Sequence, residues 1–349
     1  MTYLPQVTVF IPVHNRERYV GDAIESVLGQ NFDDFELLVI DDGSTDHTRE
    51  IIRSYASDPR VRVIENPDNL GIPRTRNRGI ELARGRYLAL LDSDDVAHPS
   101  RLGMQVEFLD QHPDYALIGA WTGGMDNTGQ YHRRVRLLPV SAEEVRCRLL
   151  FQCCPAQSSI MARTAILRAY KYREDYAVSS DYDLWIRLAG SHKLGSLPRV
   201  LVRSRMHQTQ VTQERAQLIM ENCLSIMRSQ LRALGVPFSE TDLRQHFFLL
   251  RMRKRQFVPD WRYVTWADAW LQKLREANVH NPTYEQKPLA RLLGQIWFLI
   301  CWRASSHGGW TAWRQFWRSP LCHEFGASVR RYWRVKCWQR GTPLPDEAT

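Results

Sequence analysis

The sequence lacks an apolar run long enough to cross a membrane. A spanning helix needs about 18 to 20 mostly apolar residues, whereas the best candidate, Leu292 to Trp302, is shorter and contains Gln295. The residues before Val7 also lack the basic segment and the apolar stretch of a secretory signal. We therefore expect a protein that neither crosses a membrane nor carries such a signal.

Cysteine occurs without a regular spacing. The seven cysteines are odd in number and include no CxxC pair, so neither a disulfide framework nor a zinc site is indicated. Cys153 and Cys154 are adjacent but have no further Cys or His at ligand spacing, and we expect them to be buried and structural. This usage fits a reducing compartment, which predicts a cytoplasmic protein.

Positive charge is concentrated near the end of the chain. The net charge is +9 over 349 residues, and beyond residue 240 we count about 18 Lys and Arg against about 8 Asp and Glu. Ten of the twelve tryptophans lie from Trp261 onward. We expect an acidic surface near this region, but not nucleic acid, because no nucleic-acid-binding signature accompanies the charge.

Short apolar segments alternate with helical patterns in the first hundred residues. They predict strands at 7–11, 35–40, 61–64 and 87–91, and helices at 17–30, 46–55 and 73–83. Asp46 is predicted to cap the second helix. Parallel strands need crossover connections, so this order predicts a doubly wound α/β sheet covered by helices on both faces.

The pattern changes twice further along the chain. Strand-like segments at 115–121, 157–161 and 200–206 continue the first domain. Beyond about residue 210, long helical patterns with many Trp and Arg residues begin. We therefore predict one domain at residues 1–212 and a helical extension at residues 213–349.

Polar clusters follow three of the predicted strands. They are His14-Asn15, the run from Asp41 to Ser44, and the run from Asp92 to Asp95. Ligands of doubly wound sheets bind outside the carboxyl ends of the strands. The sequence therefore predicts that these clusters meet at one edge of the sheet.

Two of these clusters are acidic. Asp92-Ser93-Asp94 offers two carboxylates suited to a hard divalent cation, which would bridge phosphates; alternatively, it ends a strand and caps the helix near Pro99. The run from Asp41 to Asp46 has the same ambiguity, since Asp-Gly favours a turn and Ser-Thr-Asp a helix start.

Three other segments carry candidate binding or catalytic groups. Asn69 to Asn77 combines a glycine turn, a helix start and two arginines, which suits either a diphosphate or a solvated basic helix face. Asp181 opens an apolar helix, as a general base or as a cap. His207 follows a strand near two arginines, and it is either a metal or phosphate ligand or a structural histidine.

Taken in order, these segments resemble the family 2 glycosyltransferases of the GT-A fold. The similarity runs from about residue 5 to about residue 212, roughly 60% of the chain. It rests on five ordered motifs: Val9 to Glu17, Phe35 to Thr45, Asn69 to Gly79, Leu91 to Asp95, and Asp181 to Leu188. The resemblance implies a GT-A doubly wound mixed sheet with an α-helical extension outside the matched part.

The resemblance also implies roles for particular residues. Asp181 matches the catalytic base, Asp94 the metal ligand, and His207 a late histidine near the metal or phosphate. Arg76 would lie near the diphosphate. The residues implied to line the donor site are Pro12, Val13, Asn15, Asp41, Asp42, Asn69, Gly71, Arg76, Asp92 and Ser93.

One position departs from the family pattern. The family usually has Glu directly before the catalytic aspartate, and this chain has Ser180. Ser180 is predicted to cap the helix but supplies no second carboxylate, which makes Asp183 a reserve candidate for the base. The Gln-x-x-Arg-Trp signature of processive synthases is missing, so we expect transfer of single sugars. Direct displacement of the leaving group by the acceptor hydroxyl would invert the anomeric centre.

The expected partners follow from the resemblance. They are a UDP-, GDP- or dTDP-sugar, a Mn²⁺ or Mg²⁺ ion, and a glycan or lipid-linked acceptor of surface polysaccharide or lipopolysaccharide synthesis. The basic aromatic segments Trp310 to Arg318 and Arg330 to Trp338 predict peripheral contact with the cytoplasmic face of the inner membrane, or packing on the catalytic domain. The alternatives are a non-catalytic nucleotide-sugar or anionic-polymer binding protein and a sugar nucleotidyltransferase, although Phe10 to Tyr19 lacks the latter's glycine-rich loop.

Overall fold

The computed structural model describes residues 4–207, 215–251, 259–324 and 326 of the chain. They divide into two compact units, which we describe separately. The first unit comprises Met1–Val145 and Cys153–Asn222, and the second comprises Arg146–Gln152 and Cys223–Thr349. The segment Arg146–Gln152 thus belongs to the second unit although the first unit surrounds it in sequence.

The first unit is built on a mixed sheet that has nine strands within the described residues. Their order across the sheet is β3-β2-β1-β4-β8-β6-β9-β5, with β7 paired to β6. The strands are β1 Val7–Val13, β2 Phe35–Asp41, β3 Val61–Glu65, β4 Tyr87–Leu90, β5 Val96–Ala97, β6 Tyr115–Met125, β7 Tyr131–Arg136, β8 Met161–Arg163 and β9 Lys193–Arg205.

The strands β1 to β4 form a parallel half-sheet. In the register, Val13 pairs with Asp41 and Asp41 with Glu65, while Phe10 pairs with Leu90. The strands β1, β2 and β4 are buried along nearly their whole length, as expected for parallel strands covered on both faces. Their carboxyl ends therefore lie at one edge, where the polar clusters follow.

The other half of the sheet contains antiparallel strands. β8 is antiparallel to both β4 and β6, and β6 is parallel to β9. The expected strand at 157–161 is wrong: Gln157–Ser159 is a short 3-10 helix, and the strand begins at Met161. Ser159 Oγ donates to the carbonyl of Ala156 at 2.9 Å, a local bond of the kind that competes with strand pairing.

Seven helices of the described residues lie between these strands. They are α1 Val20–Leu28, α2 Thr48–Ser54, α3 Ile72–Leu82, α4 Arg101–Gln111, α5 Ala142–Leu149, α6 Thr164–Tyr170 and α7 Ser180–Ala189. Asp46 lies two residues before α2, and its carboxylate accepts the N–H of Thr48 at 3.0 Å. It therefore satisfies one of the free amides at the start of this helix.

A buried arginine connects α4 to the sheet below the polar clusters. Arg101 Nη2 donates to the carbonyls of Leu90 at 2.7 Å and Ile160 at 3.1 Å. Burial lowers the pKa of Arg101 to about 10, and Asp95 opposes this shift. The guanidinium therefore remains charged at neutral pH and ties the ends of β4 and β8 together.

The helices that follow are α8 Ala216–Ala233, α9 Glu240–Phe248, α10 Trp261–His280, α11 Gln286–Gly308 and α12 Trp310–Arg318. The part of α8 from Cys223 onward belongs to the second unit. Trp270 and Trp297 are fully or almost fully buried in its core. His246 is also buried, and its ring nitrogens bond the Leu150 carbonyl at 2.9 Å and the Trp270 indole N–H at 3.0 Å. The expected mixed α/β sheet with a helical extension is thus confirmed.

Candidate active site

The polar residue that follows β4 meets the neighbouring strands at the sheet edge. Leu91 N–H donates to Phe10 O at 3.1 Å, and Asp92 N–H donates to Ser158 Oγ at 3.0 Å. These bonds hold the chain between β1 and the 3-10 helix Gln157–Ser159 as it leaves the strand. They place Asp92, and Asp94 two residues later, at the carboxyl ends of the parallel strands.

The loop after β1 is fixed against the loop after β2. Asn15 has a φ of 51°, its N–H donates to Ser44 Oγ at 2.9 Å, and its side-chain oxygen accepts the Thr45 N–H at 2.8 Å. His14 Nδ1 bonds the carbonyl of Asp42 at 3.0 Å. A carbonyl only accepts, so His14 carries its proton on Nδ1, and Nε2 accepts the Asn69 amide N–H at 3.1 Å.

Asp42 organises the start of α3. Its carboxylate accepts the N–H groups of Leu70 at 2.9 Å and Gly71 at 3.0 Å and the amide of Asn66 at 2.7 Å. Gly71 has a φ of 86°, and Gly43, with a φ of 74°, lies so close to Asn69 that a Cβ there would be 2.7 Å from its nitrogen. Glycine is therefore required where these two loops meet.

Asp41 is completely buried beside Asp42. Its carboxylate accepts the Ser44 N–H at 3.1 Å and Arg49 Nε–H at 2.8 Å. Asp41 and Asp42 therefore use their oxygens to hold the loops in place. The other residues implied to line the donor site differ in exposure: Val13 and Ser93 are buried, Pro12, Asn15 and Gly71 are half-buried, and Asn69 is exposed.

The two arginines of the Asn69 to Asn77 segment point in different directions. Arg74 is largely exposed and pairs with Glu174, whereas the Arg76 side chain is only 13% exposed and its Nη2 lies 3.5 Å from Asp92 Oδ1. The Arg76 guanidinium also lies 5.6 Å from the centre of the Tyr172 ring. The alternative of a solvated basic helix face is therefore correct for Arg74 but not for Arg76.

Several buried polar atoms beside Tyr172 and at the start of α7 have no hydrogen-bond partner among the described residues. They include Arg76 Nε, Gln157 Oε1 and Ser180 Oγ. Gln157 Nε2 donates to Tyr172 Oη at 2.7 Å, whereas its Oε1 accepts no hydrogen bond within the described residues. Unpaired buried polar atoms are costly and uncommon, so a polar ligand or water would satisfy these atoms.

Three aspartates in the loop after β4 repel one another. Desolvation raises the pKa of Asp92; Arg76 opposes the shift, and Asp94 and Asp181 add to it. Burial, followed by Asp94 and Asp92, raises the pKa of Asp95 well above its usual value. Asp95 accepts the Arg205 N–H at 3.1 Å and the Ser204 hydroxyl at 3.2 Å. It therefore ties this loop to β9.

Asp94 and His207 are in direct contact. His207 Nε2 lies 2.8 Å from Asp94 Oδ2, and Arg16 Nε lies 3.7 Å from the same oxygen. Within the described ranges, no group of three or more His, Cys, Asp or Glu side chains surrounds one metal position. The Asp94 carboxylate is nevertheless a suitable donor for Mn²⁺ or Mg²⁺, whereas the His207 imidazole is a less usual donor for these hard cations, and least so for Mg²⁺.

Asp181 lies in the first turn of α7 and is half-buried. Its Oδ2 accepts a hydrogen bond from Cys153 Sγ at 3.3 Å. The expectation that Ser180 caps α7 is wrong, because Ser180 is already helical and its Oγ has no partner among the described residues. Asp183 has both oxygens engaged, Oδ1 with Arg173 at 3.3 Å and Oδ2 with Arg187 at 2.8 Å.

The structure brings five of the predicted site residues into one cluster. Contacts or electrostatic interactions connect Arg76 to Asp92, Asp92 to Asp94 and Asp181, and Asp94 to His207. The alternative in which Asp92 and Asp94 cap the helix after Pro99 is wrong, because α4 follows Ser100 and has no side-chain cap bond. Sequence reasoning missed Cys153, Gln157 and Tyr172 as neighbours of the site.

Comparison with known proteins agrees with this arrangement. The sequence profile of Glycosyl transferase family 2 matches residues 8–171. The uncharacterized glycosyltransferase MJ1057 of Methanocaldococcus jannaschii is 32% identical over 206 residues, which cover 58% of this chain and 71% of that protein.

Solved structures share the fold at lower identity. TarS of S. aureus has 17% identity and a TM-score of 0.54, with 86% of this chain and 88% of that chain covered. The mannosyltransferase PcManGT of Pyrobaculum calidifontis has 16% identity and a TM-score of 0.53, with 95% and 88% covered. The mixed sheet with its covering helices has the GT-A fold of glycosyltransferase structures. The chain belongs to glycosyltransferase family 2.

No helix of the described part of the chain is both long enough and apolar enough to span a membrane. This includes α11, which contains the apolar run that the sequence offered as its best candidate.

Proposed function

We propose that this protein transfers one sugar at a time from a nucleoside diphosphate sugar to an acceptor hydroxyl, with inversion at the anomeric carbon. The observation that carries the proposal is the cluster of Arg76, Asp92 and Asp181. The Arg76 guanidinium is mostly buried. The Asp181 carboxylate is half-buried, and its Oδ1 accepts no hydrogen bond among the described residues. Such a pair can stabilise a leaving diphosphate and accept a proton.

Asp181 and Arg76 have separate roles in a direct displacement. Asp181 takes the proton of the acceptor hydroxyl as its oxygen forms a bond to the anomeric carbon. The bond from that carbon to the diphosphate breaks in the same step, and Arg76 neutralises the charge that develops on the leaving group. Attack from the face opposite the leaving group inverts the anomeric centre.

A Mn²⁺ or Mg²⁺ ion completes the proposed site. Asp94 and His207 would hold it, and Asp92 and Ser93 would lie beside the ribose. The ion supplies additional positive charge for the diphosphate when it is bound. The mannosyltransferase PcManGT was solved with GDP-Man and Mn²⁺, which supports this assignment.

The donor is proposed to be a UDP-, GDP- or dTDP-sugar. TarS was solved with UDP-GlcNAc and PcManGT with GDP-Man, so these two nucleotide sugars are the first to test. The acceptor is proposed to be a glycan or a lipid-linked sugar of surface polysaccharide or lipopolysaccharide synthesis. We assign the reaction to residues 1–212.

Residues 213–349 are proposed to contact the cytoplasmic face of a membrane. The helix α12 exposes Trp310 and Trp317 together with Arg314, and it contains no acidic residue. Their spacing of four and three places these side chains on one helix face, and tryptophan with arginine favours an anionic membrane surface. The expected second basic segment, Arg330 to Trp338, lies outside the described residues.

An activity assay on Asp181→Asn tests the proposed function. The variant removes the proton acceptor but keeps its shape, so we expect release of UDP or GDP from UDP-GlcNAc or GDP-mannose to fall by about 100-fold or more. Donor affinity measured by calorimetry should change by less than about threefold. Asp175→Asn is the matched control, because Asp175 is exposed six residues earlier, and it should keep wild-type turnover.

Other results would indicate a different base or a different function. Turnover of Asp181→Asn close to wild type would exclude Asp181 as the base. Tight donor binding by wild type without release of diphosphate would favour the binding-protein alternative. Formation of a nucleotide sugar from a sugar phosphate and a nucleoside triphosphate would favour the nucleotidyltransferase.

A further inference from the structure

The proposed base has a thiol as its neighbour. Cys153 Sγ lies 3.3 Å from Asp181 Oδ2. Among the described residues, this is the hydrogen bond that the Asp181 carboxylate makes, and Oδ1 has no partner there. Both residues belong to the first compact unit, so the contact does not depend on how the second unit is placed.

The chemistry of the Cys153 thiol and the Asp181 carboxylate determines which of them donates the hydrogen bond. A carboxylate only accepts, so the thiol donates its proton to Asp181. Burial, with the adjacent Asp181 charge as the next cause, raises the pKa of the Cys153 thiol well above its usual value. Cys153 therefore keeps its proton at neutral pH and remains a donor.

The helix that carries Asp181 offers no substitute for this contact. The position before Asp181, where family members usually have Glu, is Ser180, and its buried hydroxyl has no partner within the described residues. Arg173 and Arg187 hold Asp183. The orienting contact instead comes from a segment 28 residues earlier in the chain.

We propose that Cys153 is the positioning residue of the catalytic base. Its thiol fixes Asp181 Oδ2, so that Oδ1 is presented to the acceptor hydroxyl. This inference rests on the proposed function, because it takes Asp181 as the base. It assigns a role in catalysis to a cysteine that forms no disulfide and belongs to no sequence motif.

Two substitutions separate hydrogen bonding from packing. Cys153→Ala and Cys153→Ser remove the sulfur and leave side chains of similar size, but only serine can donate to Asp181. We expect Cys153→Ala to lower kcat for diphosphate release by roughly 10-fold, since the thiol is a weak donor but its acceptor is a charged carboxylate. KM for UDP-GlcNAc or GDP-mannose should stay within about twofold, and Cys153→Ser should recover kcat to within about threefold.

The controls distinguish this inference from the proposed function. Cys322→Ala removes a half-buried thiol of the second unit and should leave both constants unchanged. Equal losses in the alanine and serine variants, a parallel change in KM, or full activity of Cys153→Ala would overturn the positioning role. If wild type is active and Asp181→Asn is not, these results count against Cys153 alone; an active Asp181→Asn counts against the proposed function itself.

Discussion

At the scale of single residues, burial decides which titratable groups can change charge. His246 shows this most clearly. Its Nε2 donates to the Leu150 carbonyl, and its Nδ1 accepts the Trp270 indole N–H, so both nitrogens are used by the neutral ring. Burial lowers the pKa of His246 to about 4.

We therefore expect His246 to make the protein less stable in mild acid. The unfolded state binds the proton near pH 6.5 and the folded state only near pH 4. The stability due to neutral His246 is thus complete above about pH 6.5 and is lost as pH falls toward 4, by roughly 3 kcal/mol. Urea unfolding followed by circular dichroism at several pH values would measure this loss.

A pair of variants isolates this contribution. His246→Asn should be less stable at pH 7 but should lose less stability between pH 6.5 and pH 4 than wild type. His323→Gln changes an exposed histidine and should reproduce the wild-type pH dependence. An unchanged slope in His246→Asn would show that His246 does not govern this transition.

The sequence predicts which polar residues lie at the sheet edge where a strand ends in a polar cluster. Asp92, Asp94 and Asp42 follow buried strands, so the topology alone places them at one edge. Cys153 and Tyr172 reach the same region through loops, and the sequence has no spacing rule for such contacts. Their positions beside the site could therefore be found only from the structure.

At the scale of elements, the sequence pattern was most informative for the parallel strands. β1, β2 and β4 are mostly apolar and buried, and the sequence predicts all three to within two residues of their ends. The strands β5 and β7 were missed because β5 has two residues and β7 is mostly polar. The sequence predicts a strand at 157–161, but Gln157–Ser159 is a 3-10 helix in which Ser159 Oγ donates to the Ala156 carbonyl.

The exposed tryptophans of helix α12 lead to a prediction about membrane binding. Its buried side is formed by Ala312 and Phe316, and Trp310 is 87% and Trp317 62% exposed. We expect the protein to sediment with vesicles containing anionic phospholipid but not with purely zwitterionic vesicles, and less so at high salt. Replacing Trp310 and Trp317 by alanine together should weaken binding by roughly tenfold.

An exposed tryptophan elsewhere provides the control. Trp261→Ala removes a side chain that is 56% exposed on α10 and should leave vesicle binding unchanged. Equal binding by wild type and the double variant would reject α12 as the membrane contact. Binding that is independent of lipid charge would reject the electrostatic part of the explanation.

At the scale of the whole molecule, the chain combines a GT-A unit with a helical unit. The family and the mixed sheet could be predicted because five motifs follow the strands in a fixed order. The assignment of Arg146–Gln152 to the second unit could not, since it depends on contacts with helices more than seventy residues later, such as His246 with Leu150.

Nucleotide-dependent stabilisation tests the central claim most directly. Thermal unfolding should be measured with UDP, GDP and dTDP, each with and without Mn²⁺, for wild type and Asp94→Ala. We expect one nucleotide with Mn²⁺ to raise the wild-type Tm by roughly 5 °C at saturating concentration, and Asp94→Ala to lose most of the Mn²⁺-dependent part. No shift with any nucleotide, or an equal Mn²⁺-dependent shift in both proteins, would contradict a donor site built on Asp94, Arg76 and Asp181.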